Sequence, residues 1–350
     1  MKTIVALMHG EGEIEILVPI LKELRMEYGV VIDAPRSCED AICREIGGAQ
    51  SLCGGRDTKD RDRRLERQPT LCRRVASCEP QAIVSGLHSN DQKLIFDDAT
   101  LRPRCIGLVE MSLPSARHEL DQPGSKIGEN WARCERFLVP SALEPALKRR
   151  LKSEGAARKR TVPYGDPVPW NRWVEKGGLQ WRIQGDGRGL EKESTQSVVF
   201  FGQAHCGNEA VLSGIARRLC GNEIVHVRHP RDDPGKRGKP PENCREVPSD
   251  DWPTKLQVVR DAGLVLTEYS NVGYSVALSG RRVHYLFKDR RPGRRLVHLA
   301  PVLGRIGRLP VSHSRPESIG CSELDMARVT PSWPELRVER LVEEIESLRR

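Results

Sequence analysis

Aromatic residues and long apolar runs are both scarce in this chain. Phe, Trp and Tyr make up only 5% of its 350 residues. The longest apolar stretches, such as 16–21 and 262–266, are much shorter than the roughly 20 residues needed to cross a bilayer. No recognised zinc-finger or RNA-binding signature occurs. We therefore expect no membrane span, and we rank nucleic acid last among the ligands to consider.

The chain also lacks closely paired cysteines, although it contains 11 cysteines. The number is odd, the residues are scattered from Cys38 to Cys321, and no pair has the spacing of a zinc-binding loop. Acidic Glu11 and Glu13 directly follow the short apolar run at the amino terminus, and no small-residue cleavage site appears, unlike in a signal peptide. These features predict reduced thiols, a cytoplasmic location and no bound metal.

Charge and length are the positive signals in the composition. The chain carries 57 Lys and Arg against 48 Asp and Glu, a formal charge of +9, which suits an anionic ligand such as a phosphate or a nucleotide. Its length and its 38% hydrophobic content are sufficient for two domains, each with its own core.

The first half of the sequence alternates between strand-like and helix-like segments. Residues 3–8 form a short apolar run that ends in a glycine-containing loop, after which apolar residues recur at helical spacing. Further strands are predicted at 28–33, 81–87 and 104–109, with helix-like polar segments between them. Alternation of this kind predicts a mostly parallel sheet covered by helices.

Many glycines and prolines interrupt the pattern between residues 153 and 196, which predicts a linker or crossover. A second alternating unit begins with the strand 197–201. The resulting prediction is an amino-terminal domain at 1–150, a linker at 151–196, a second domain at 197–330 and a terminal helix at 331–350 that packs on either domain.

Two loops that follow predicted strands of the second domain are candidate phosphate sites. Gly202 opens a loop in which glycines allow close backbone approach, and Asn208 is placed to cap the following helix. Arg228 and His229 directly follow the next strand, where a guanidinium can bind phosphate oxygens and an imidazole can act as an acid or base. The alternatives are a glycine turn without a ligand and a surface network of Arg and Asp.

A third loop, residues 267–273, connects an apolar strand to a helix. Ser270 or Asn271 can cap that helix, and the helix amino terminus favours a phosphate. Gly273 would let a bulky group lie against the first turn, and Glu268 would accept hydrogen bonds from ribose or sugar hydroxyls. The alternative is a capped helix that binds nothing.

Three segments of the second half resemble the carboxyl-terminal half of GT-B glycosyltransferases and of the related UDP-N-acetylglucosamine 2-epimerases. They are HPRD, DAGLVLTEYSNVG and SVALSGRRVHYLF. Asp261, Ser270, Gly273, Gly280 and Val283 match that pattern. The amino-terminal HGEGEIEILVPILKELR resembles the first strand, loop and helix of the same fold. The segment FLVPS resembles the last strand of its amino-terminal domain.

This resemblance implies an α/β protein with two Rossmann-like domains whose parallel sheets face a cleft. The carboxyl-terminal domain would hold the nucleotide diphosphate and the amino-terminal domain the acceptor, without an obligatory metal or other cofactor. The epimerases carry a GTRPE-like first loop and an SGG segment, whereas this chain has HGEGE and SNVG. The departures therefore favour sugar transfer over epimerisation.

Sugar transfer needs a base that takes a proton from the acceptor and positive charge that stabilises the departing diphosphate. We expect Glu13 or His88 to be that base, with His229 as a further acid or base in the second domain. The candidates all follow predicted strands; those in the first domain are His9, Glu11, Glu13, His88, Asp91 and Glu110.

The sequence therefore predicts an enzyme that transfers a sugar or a related group from a nucleotide-activated donor to an unidentified acceptor. One alternative is an epimerase or hydrolase that acts on the nucleotide sugar itself. Another is a non-catalytic protein that binds a nucleotide sugar or a polyanion.

Overall fold

The structure is a computed structural model that describes residues 2–52, 64–113, 126–166, 197–202, 208–219, 222–229, 240–248, 252–268, 270–278, 282–286, 297–309, 311–314 and 336–348. The chain forms two compact units. The first consists of Met1–Trp170 together with Pro334–Arg350, and the second of Asn171–Trp333.

The first unit contains a seven-stranded sheet of order β3-β2-β1-β4-β5-β7-β8, in which every neighbouring pair is parallel. Its strands are β1 (Thr3–Leu7), β2 (Gly29–Asp33), β3 (Gln50–Ser51), β4 (Ala82–Ser85), β5 (Cys105–Leu108), β7 (Arg136–Val139) and β8 (Arg160–Pro163). A short strand β6 (Ser112–Leu113) lies outside this order. Its helices are α1 (Glu11–Leu24), α2 (Arg36–Ile46), α3 (Arg64–Ser77), α4 (Asn90–Asp97), α5 (Lys126–Arg133) and α6 (Glu144–Ser153).

Strand β1 and helix α1 form the centre of the first core. Residues 4–7 of β1 are completely buried, because parallel strands are covered by helices on both faces. The apolar positions of α1 recur at helical spacing and are each at most 2% exposed; they are Ile14, Leu17, Val18, Leu21 and Leu24. The strand–loop–helix pattern predicted for this segment is confirmed.

The last described helix, α11 (Glu339–Ser347), belongs to the first unit, although the sequence left its domain open. Leu341 and Ile345 are completely buried. The Glu346 carboxylate accepts hydrogen bonds from Lys2 Nζ at 2.6 Å and from Tyr28 Oη at 2.7 Å. These contacts attach α11 to the residues that directly precede β1 and β2.

One predicted boundary was wrong. The sequence predicts a linker at 151–196, and its resemblance to GT-B proteins makes 137–141 the last strand of the first domain. In the structure, β8 pairs with β7 over four residues from Arg160 to Pro163, so the sheet extends into the predicted linker. Of the four residues of this strand only Val162 is buried, so no apolar run marks the strand in the sequence.

The second unit contains a six-stranded sheet of order β11-β10-β9-β12-β13-β15, again parallel at every neighbouring pair. Its strands are β9 (Val198–Phe201), β10 (Ile224–Val227), β11 (Cys244–Val247), β12 (Leu264–Thr267), β13 (Val283–Leu286) and β15 (Val311–Ser314), and β14 (Val297–His298) is a further short strand. Its helices are α7 (Asn208–Arg218), α8 (Trp252–Asp261), α9 (Asn271–Leu278) and α10 (Leu299–Arg305).

The alternation of strands and helices in each unit confirms the predicted α/β class with two mostly parallel sheets. Among the described residues, no helix combines the length and the apolarity that a bilayer span requires.

Candidate functional site

Glu13 lies at the centre of a hydrogen-bond network at the carboxyl edge of the first sheet. Its side chain is 2% exposed. Oε2 accepts hydrogen bonds from the backbone N–H groups of His9 at 2.6 Å and Gly10 at 3.3 Å. The carboxylate therefore satisfies free amide groups in the loop between β1 and α1, as an acidic residue in the first turn of a helix can do.

The side chain of Gln92 connects Glu13 to the loop that follows β4. Its Nε2 donates to both Glu13 oxygens, at 2.9 and 3.0 Å. Its Oε1 accepts from the backbone N–H groups of His88 at 2.7 Å and Ser89 at 2.8 Å. The Glu13 carboxylate and the Gln92 amide thus connect the loop after β1 to the loop after β4.

This geometry corrects the role that the sequence predicted for Glu13. A general base must reach a substrate proton, and Glu13 is buried with both oxygens accepting hydrogen bonds. A Cβ atom on Gly86 would lie 1.7 Å from Glu13 Oε1, so only glycine leaves room for the carboxylate there. Glu13 therefore holds the loops after β1 and β4 together. Its partner Gln92 was missed, although the capping-box pattern from Ser89 to Gln92 is visible in the sequence.

His88 and Glu110 form the accessible part of the same edge. His88 follows β4, Glu110 follows the neighbouring strand β5, and His88 Nε2 lies 3.6 Å from Glu110 Oε1. Loss of water around the carboxyl raises the pKa of Glu110 to about 7, although 22% of its side-chain surface stays accessible. His88 opposes that rise in pKa, and the negative charge of Glu13 adds to it. The pair thus combines a carboxyl whose pKa lies near neutrality with an imidazole, and both groups can exchange protons with a substrate.

The other candidates of the first unit are spread along the same edge. His9 Nε2 lies 3.5 Å from Asp33 Oδ2, which brings the loop after β1 close to the end of β2. Asp91 occupies the first turn of α4 and is partly buried. The side chain of Glu11 lies outside the part of the chain that the structure describes.

Two predicted phosphate-binding positions form one row in the second unit with Glu268, which was predicted to bind sugar hydroxyls. The strand register aligns Val227 of β10 with Phe201 of β9, and Phe201 with Thr267 of β12. The residues that come next, Arg228, Gly202 and Glu268, therefore lie side by side at the carboxyl edge. Neighbouring strands are about 4.8 Å apart, so the row spans about 10 Å across three strand ends.

Arg228 is the principal cation of this row. Its backbone N–H donates to Val247 O at 3.1 Å, and its side chain is partly buried. Arg228 Nε is buried and has no hydrogen-bond partner among the described residues. A buried guanidinium donor without an acceptor is costly, and an anionic ligand would remove that cost. His229 follows Arg228 and is partly exposed.

Ser270 caps helix α9, as the sequence predicted. Its Oγ accepts a hydrogen bond from Val272 N at 3.2 Å, and its own backbone N–H donates to Thr267 Oγ1 at 3.3 Å. Asn271 begins the helix beside this cap and is partly exposed. The helix amino terminus therefore lies next to the end of β12, where the dipole favours an anion.

Two other predictions for this loop were wrong. Gly273 is buried, and a Cβ atom there would meet Tyr285 Oη at 2.6 Å and Thr267 Cγ2 at 2.7 Å. The glycine thus serves packing of α9 against the sheet and makes no room for a ligand. Glu268 is only 2% exposed, so its carboxylate is not presented at the surface for sugar hydroxyls.

Several predicted positions are not described. The loop 203–207, the side chain of Asn208 and Gly280 lie outside the described residues; Asn208 itself begins α7. Within the described ranges, no group of three or more His, Cys, Asp and Glu side chains is arranged to hold a metal ion.

The three-dimensional structure is similar to solved enzymes along its whole length. The UDP-GlcNAc 2-epimerase of Neisseria meningitidis, bound to UDP-GlcNAc, matches 99% of this chain and 100% of its own, with 11% identity and a TM-score of 0.63. The UDP-GlcNAc 2-epimerase of Methanocaldococcus jannaschii matches the same shares, with 11% identity and a TM-score of 0.56.

A plant protein has the same architecture. UGT2 of Phytolacca americana, complexed with UDP-2-fluoroglucose and pterostilbene, matches 100% of this chain and 93% of its own, with 12% identity and a TM-score of 0.52. The sequence itself matches no protein-family profile and no curated protein. The likeness shows the fold: the chain has the GT-B fold, and the resemblance predicted from its motifs is confirmed at that level.

The packing of Gly273 generates a stability prediction. Gly273→Ala places a methyl group against Tyr285 and Thr267, so we expect the free energy of unfolding of the second unit to fall by about 1–3 kcal/mol. Gly214→Ala in α7 is the matched control, because no atom lies within 4 Å of its Cβ position. There we expect no loss and a gain of up to about 1 kcal/mol from helix propensity. Urea denaturation measures both, and equal effects would contradict the packing role.

The raised pKa of Glu110 generates a pH prediction. Its folded pKa of about 7 exceeds the ordinary 4.5, so the folded protein binds this proton more tightly than the unfolded chain. The carboxyl therefore reduces stability progressively as pH rises from 4.5 to 7. We compare the free energy of unfolding of Glu110→Gln with that of the wild type. The difference should shift in favour of the variant by up to about 2 kcal/mol between pH 4 and pH 8.

Urea denaturation at the two pH values tests this, with Glu27→Gln as control, because Glu27 is exposed and forms no ion pair with a described residue. A difference between Glu110→Gln and wild type that is the same at pH 4 and pH 8 would show that Glu110 has an ordinary pKa.

Proposed function

We propose that this protein is an enzyme that cleaves the bond between a sugar and the diphosphate of a nucleotide-activated donor and transfers the sugar to an acceptor. In this proposal the second unit binds the diphosphate and the first unit supplies the acid and base. The observation that carries it is the pairing of a near-neutral carboxyl, Glu110, with His88 at the carboxyl edge of a GT-B sheet.

The carboxyl edge of the second sheet supports the diphosphate assignment. Arg228 supplies a buried guanidinium Nε without a partner among the described residues, and the capped amino terminus of α9 follows the end of β12. A positive guanidinium and oriented backbone amides stabilise the charge that develops on a departing diphosphate. In this proposal His229, which directly follows Arg228, donates a hydrogen bond to the same diphosphate.

The first unit supports the proton-transfer assignment. At pH 7 a carboxyl with a pKa of about 7 is half protonated, so Glu110 can accept a proton from a hydroxyl and return it. The His88 side chain is 54% exposed and remains reachable by an acceptor. Glu13 and Gln92 hold the His88 loop in place without touching the substrate.

Epimerisation or hydrolysis of the nucleotide sugar is the second candidate. The two epimerase structures match nearly all of this chain and all of their own chains, with TM-scores of 0.63 and 0.56, above the 0.52 of UGT2. An acid–base pair such as His88 and Glu110 serves this chemistry as well, because epimerisation also moves protons. The two candidates differ in whether a second substrate is required.

The diphosphate assignment predicts a loss of nucleotide affinity in Arg228→Ala. Removing one charge-assisted hydrogen bond should weaken binding of uridine diphosphate by about 10- to 100-fold. Calorimetric titration of uridine and cytidine diphosphates measures it. Arg217→Ala is the control, because this exposed arginine of α7 contacts only its own helix, with Nε donating to Ser213 O. Unchanged affinity in Arg228→Ala would move the site elsewhere.

The acid–base assignment predicts a loss of turnover in Glu110→Gln with nucleotide affinity retained. We expect kcat to fall by about 100-fold or more for Glu110→Gln and for His88→Ala, and to stay unchanged for Glu45→Gln. Phosphorus NMR of UDP-GlcNAc incubated with enzyme distinguishes the intact nucleotide sugar from released nucleoside diphosphate. Full turnover in Glu110→Gln would eliminate it as the acid or base.

The same assay separates the candidate reactions. Release of nucleoside diphosphate that depends on an added acceptor indicates transfer, whereas release without one indicates hydrolysis. Conversion to a second nucleotide sugar indicates epimerisation. We expect turnover to survive added chelator, and complete loss that only metal restores would contradict a metal-independent reaction.

A further inference from the structure

Arginines collect at the opposite edge of the first sheet, at the amino ends of three neighbouring strands. Arg102 lies in the turn before β5, Arg136 begins β7, and Arg158 and Arg160 lie at the start of β8. Because β5, β7 and β8 are neighbours in the sheet, these four side chains share one edge. His88 and Glu110 follow the carboxyl ends of β4 and β5, so this basic edge is separate from the proposed reaction site.

A cavity of about 610 Å³ lies at this edge and is lined by five arginines and one glutamate. The arginines are Arg102, Arg133, Arg136, Arg158 and Arg160, and the glutamate is Glu135. Like charges around one cavity repel each other, and this repulsion opposes folding unless an anion neutralises it. Bringing these arginines together during folding therefore costs free energy, and a bound anion would reduce that cost.

Carboxylates pair with three of the five arginines and leave two without an ion pair to a described residue. Arg133 lies 2.8 Å from Asp97 Oδ1 and 3.4 Å from Glu129 Oε2. Glu344 accepts from Arg136 Nε at 2.8 Å and from Arg160 Nη1 at 2.9 Å, yet the Arg160 side chain stays 56% exposed. Each guanidinium has five N–H donors, so one shared carboxylate occupies only part of the donors. Arg102 and Arg158 are exposed, and neither forms an ion pair with a described residue.

A second cavity continues the basic surface. Its volume is about 680 Å³, and it shares Arg158 and Arg160 with the first cavity. It adds the cations Lys148, Lys152, Lys159 and Arg340 and the carboxylates Glu343 and Glu344. Lys148 pairs with Glu144 and Arg340 with Glu343, whereas Lys152 is exposed without an ion pair to a described residue. The cations thus extend over a length that exceeds a single phosphate group. No aromatic side chain occurs among the described residues that line the two cavities, so neither offers a face on which a nucleobase stacks.

We propose that this surface, the two cavities joined by Arg158 and Arg160, binds a linear oligophosphate. Arginine forks bind phosphate oxygens in pairs, and successive phosphate groups would follow the row of guanidiniums from one cavity into the other. The lack of aromatic side chains favours a bare phosphate chain over a nucleotide or a single-stranded nucleic acid.

Calorimetric titration of the full-length protein with sodium tripolyphosphate tests the proposal. We expect tripolyphosphate to bind at least tenfold more tightly than inorganic phosphate, with an affinity that falls as salt concentration rises. The double variant Arg102→Ala/Arg158→Ala should weaken binding by about 100-fold, about tenfold for each lost charge-assisted contact. Both side chains are exposed without an ion pair, so the variant is expected to fold normally.

Two control variants make the result specific. Arg44→Ala/Arg73→Ala removes two exposed arginines from α2 and α3 of the same unit and should leave tripolyphosphate affinity unchanged. Arg228→Ala should also leave it unchanged, which separates this site from the diphosphate site proposed for the second unit. Absence of tripolyphosphate binding to the wild type, or equal affinity in Arg102→Ala/Arg158→Ala, would overturn the proposal. Tighter binding of a single-stranded RNA of matched charge would replace it with a nucleic-acid surface.

Discussion

The buried carboxylate of Glu13 is the interaction on which the candidate site of the first unit depends. A charge buried without partners would be prohibitively unfavourable, and here the backbone amides of His9 and Gly10 and the amide of Gln92 solvate it. These bonds join two loops that are far apart in sequence. Because Gly86 leaves room for the carboxylate, the loops approach each other closely enough to share it.

The same carboxylate affects the chemistry next to it. Its negative charge adds to the desolvation that raises the pKa of Glu110, whereas His88 works in the opposite direction. Because Gln92 also binds the backbone of His88, the group that orients the histidine is part of the network that adjusts the neighbouring carboxyl. Two acidic residues at this edge therefore have different roles in the proposed reaction. Glu13 holds the loops in position, and Glu110 exchanges protons.

In the second unit, close packing of a glycine places the candidate binding groups at the edge of the sheet. Close contact of Gly273 with Tyr285 and Thr267 brings α9 against the sheet, and Tyr285 Oη donates to Ser270 O at 3.2 Å. The helix amino terminus consequently lies directly beside the end of β12. Arg228 lies two strands away in the same row, because parallel strands in register end at the same edge.

The sequence by itself determined the α/β class and the places where chemistry was to be sought. Apolar runs at strand spacing, followed by loops and helical patterns, are local signals, and the residues after Val227 and Thr267 were identified from them. The Ser270 cap was predictable for the same reason, since its hydrogen bond reaches only two residues along the chain.

Tertiary structure decided which of these residues is accessible and which is not. Glu13 and Glu110 both follow predicted strands, yet contacts between distant segments bury the first and leave the second in reach of solvent. Likewise, only the order of the strands brings Arg102 together with Arg158, more than fifty residues later. Burial and the clustering of charge depend on long-range contacts, and a pattern of neighbouring residues carries no information about them.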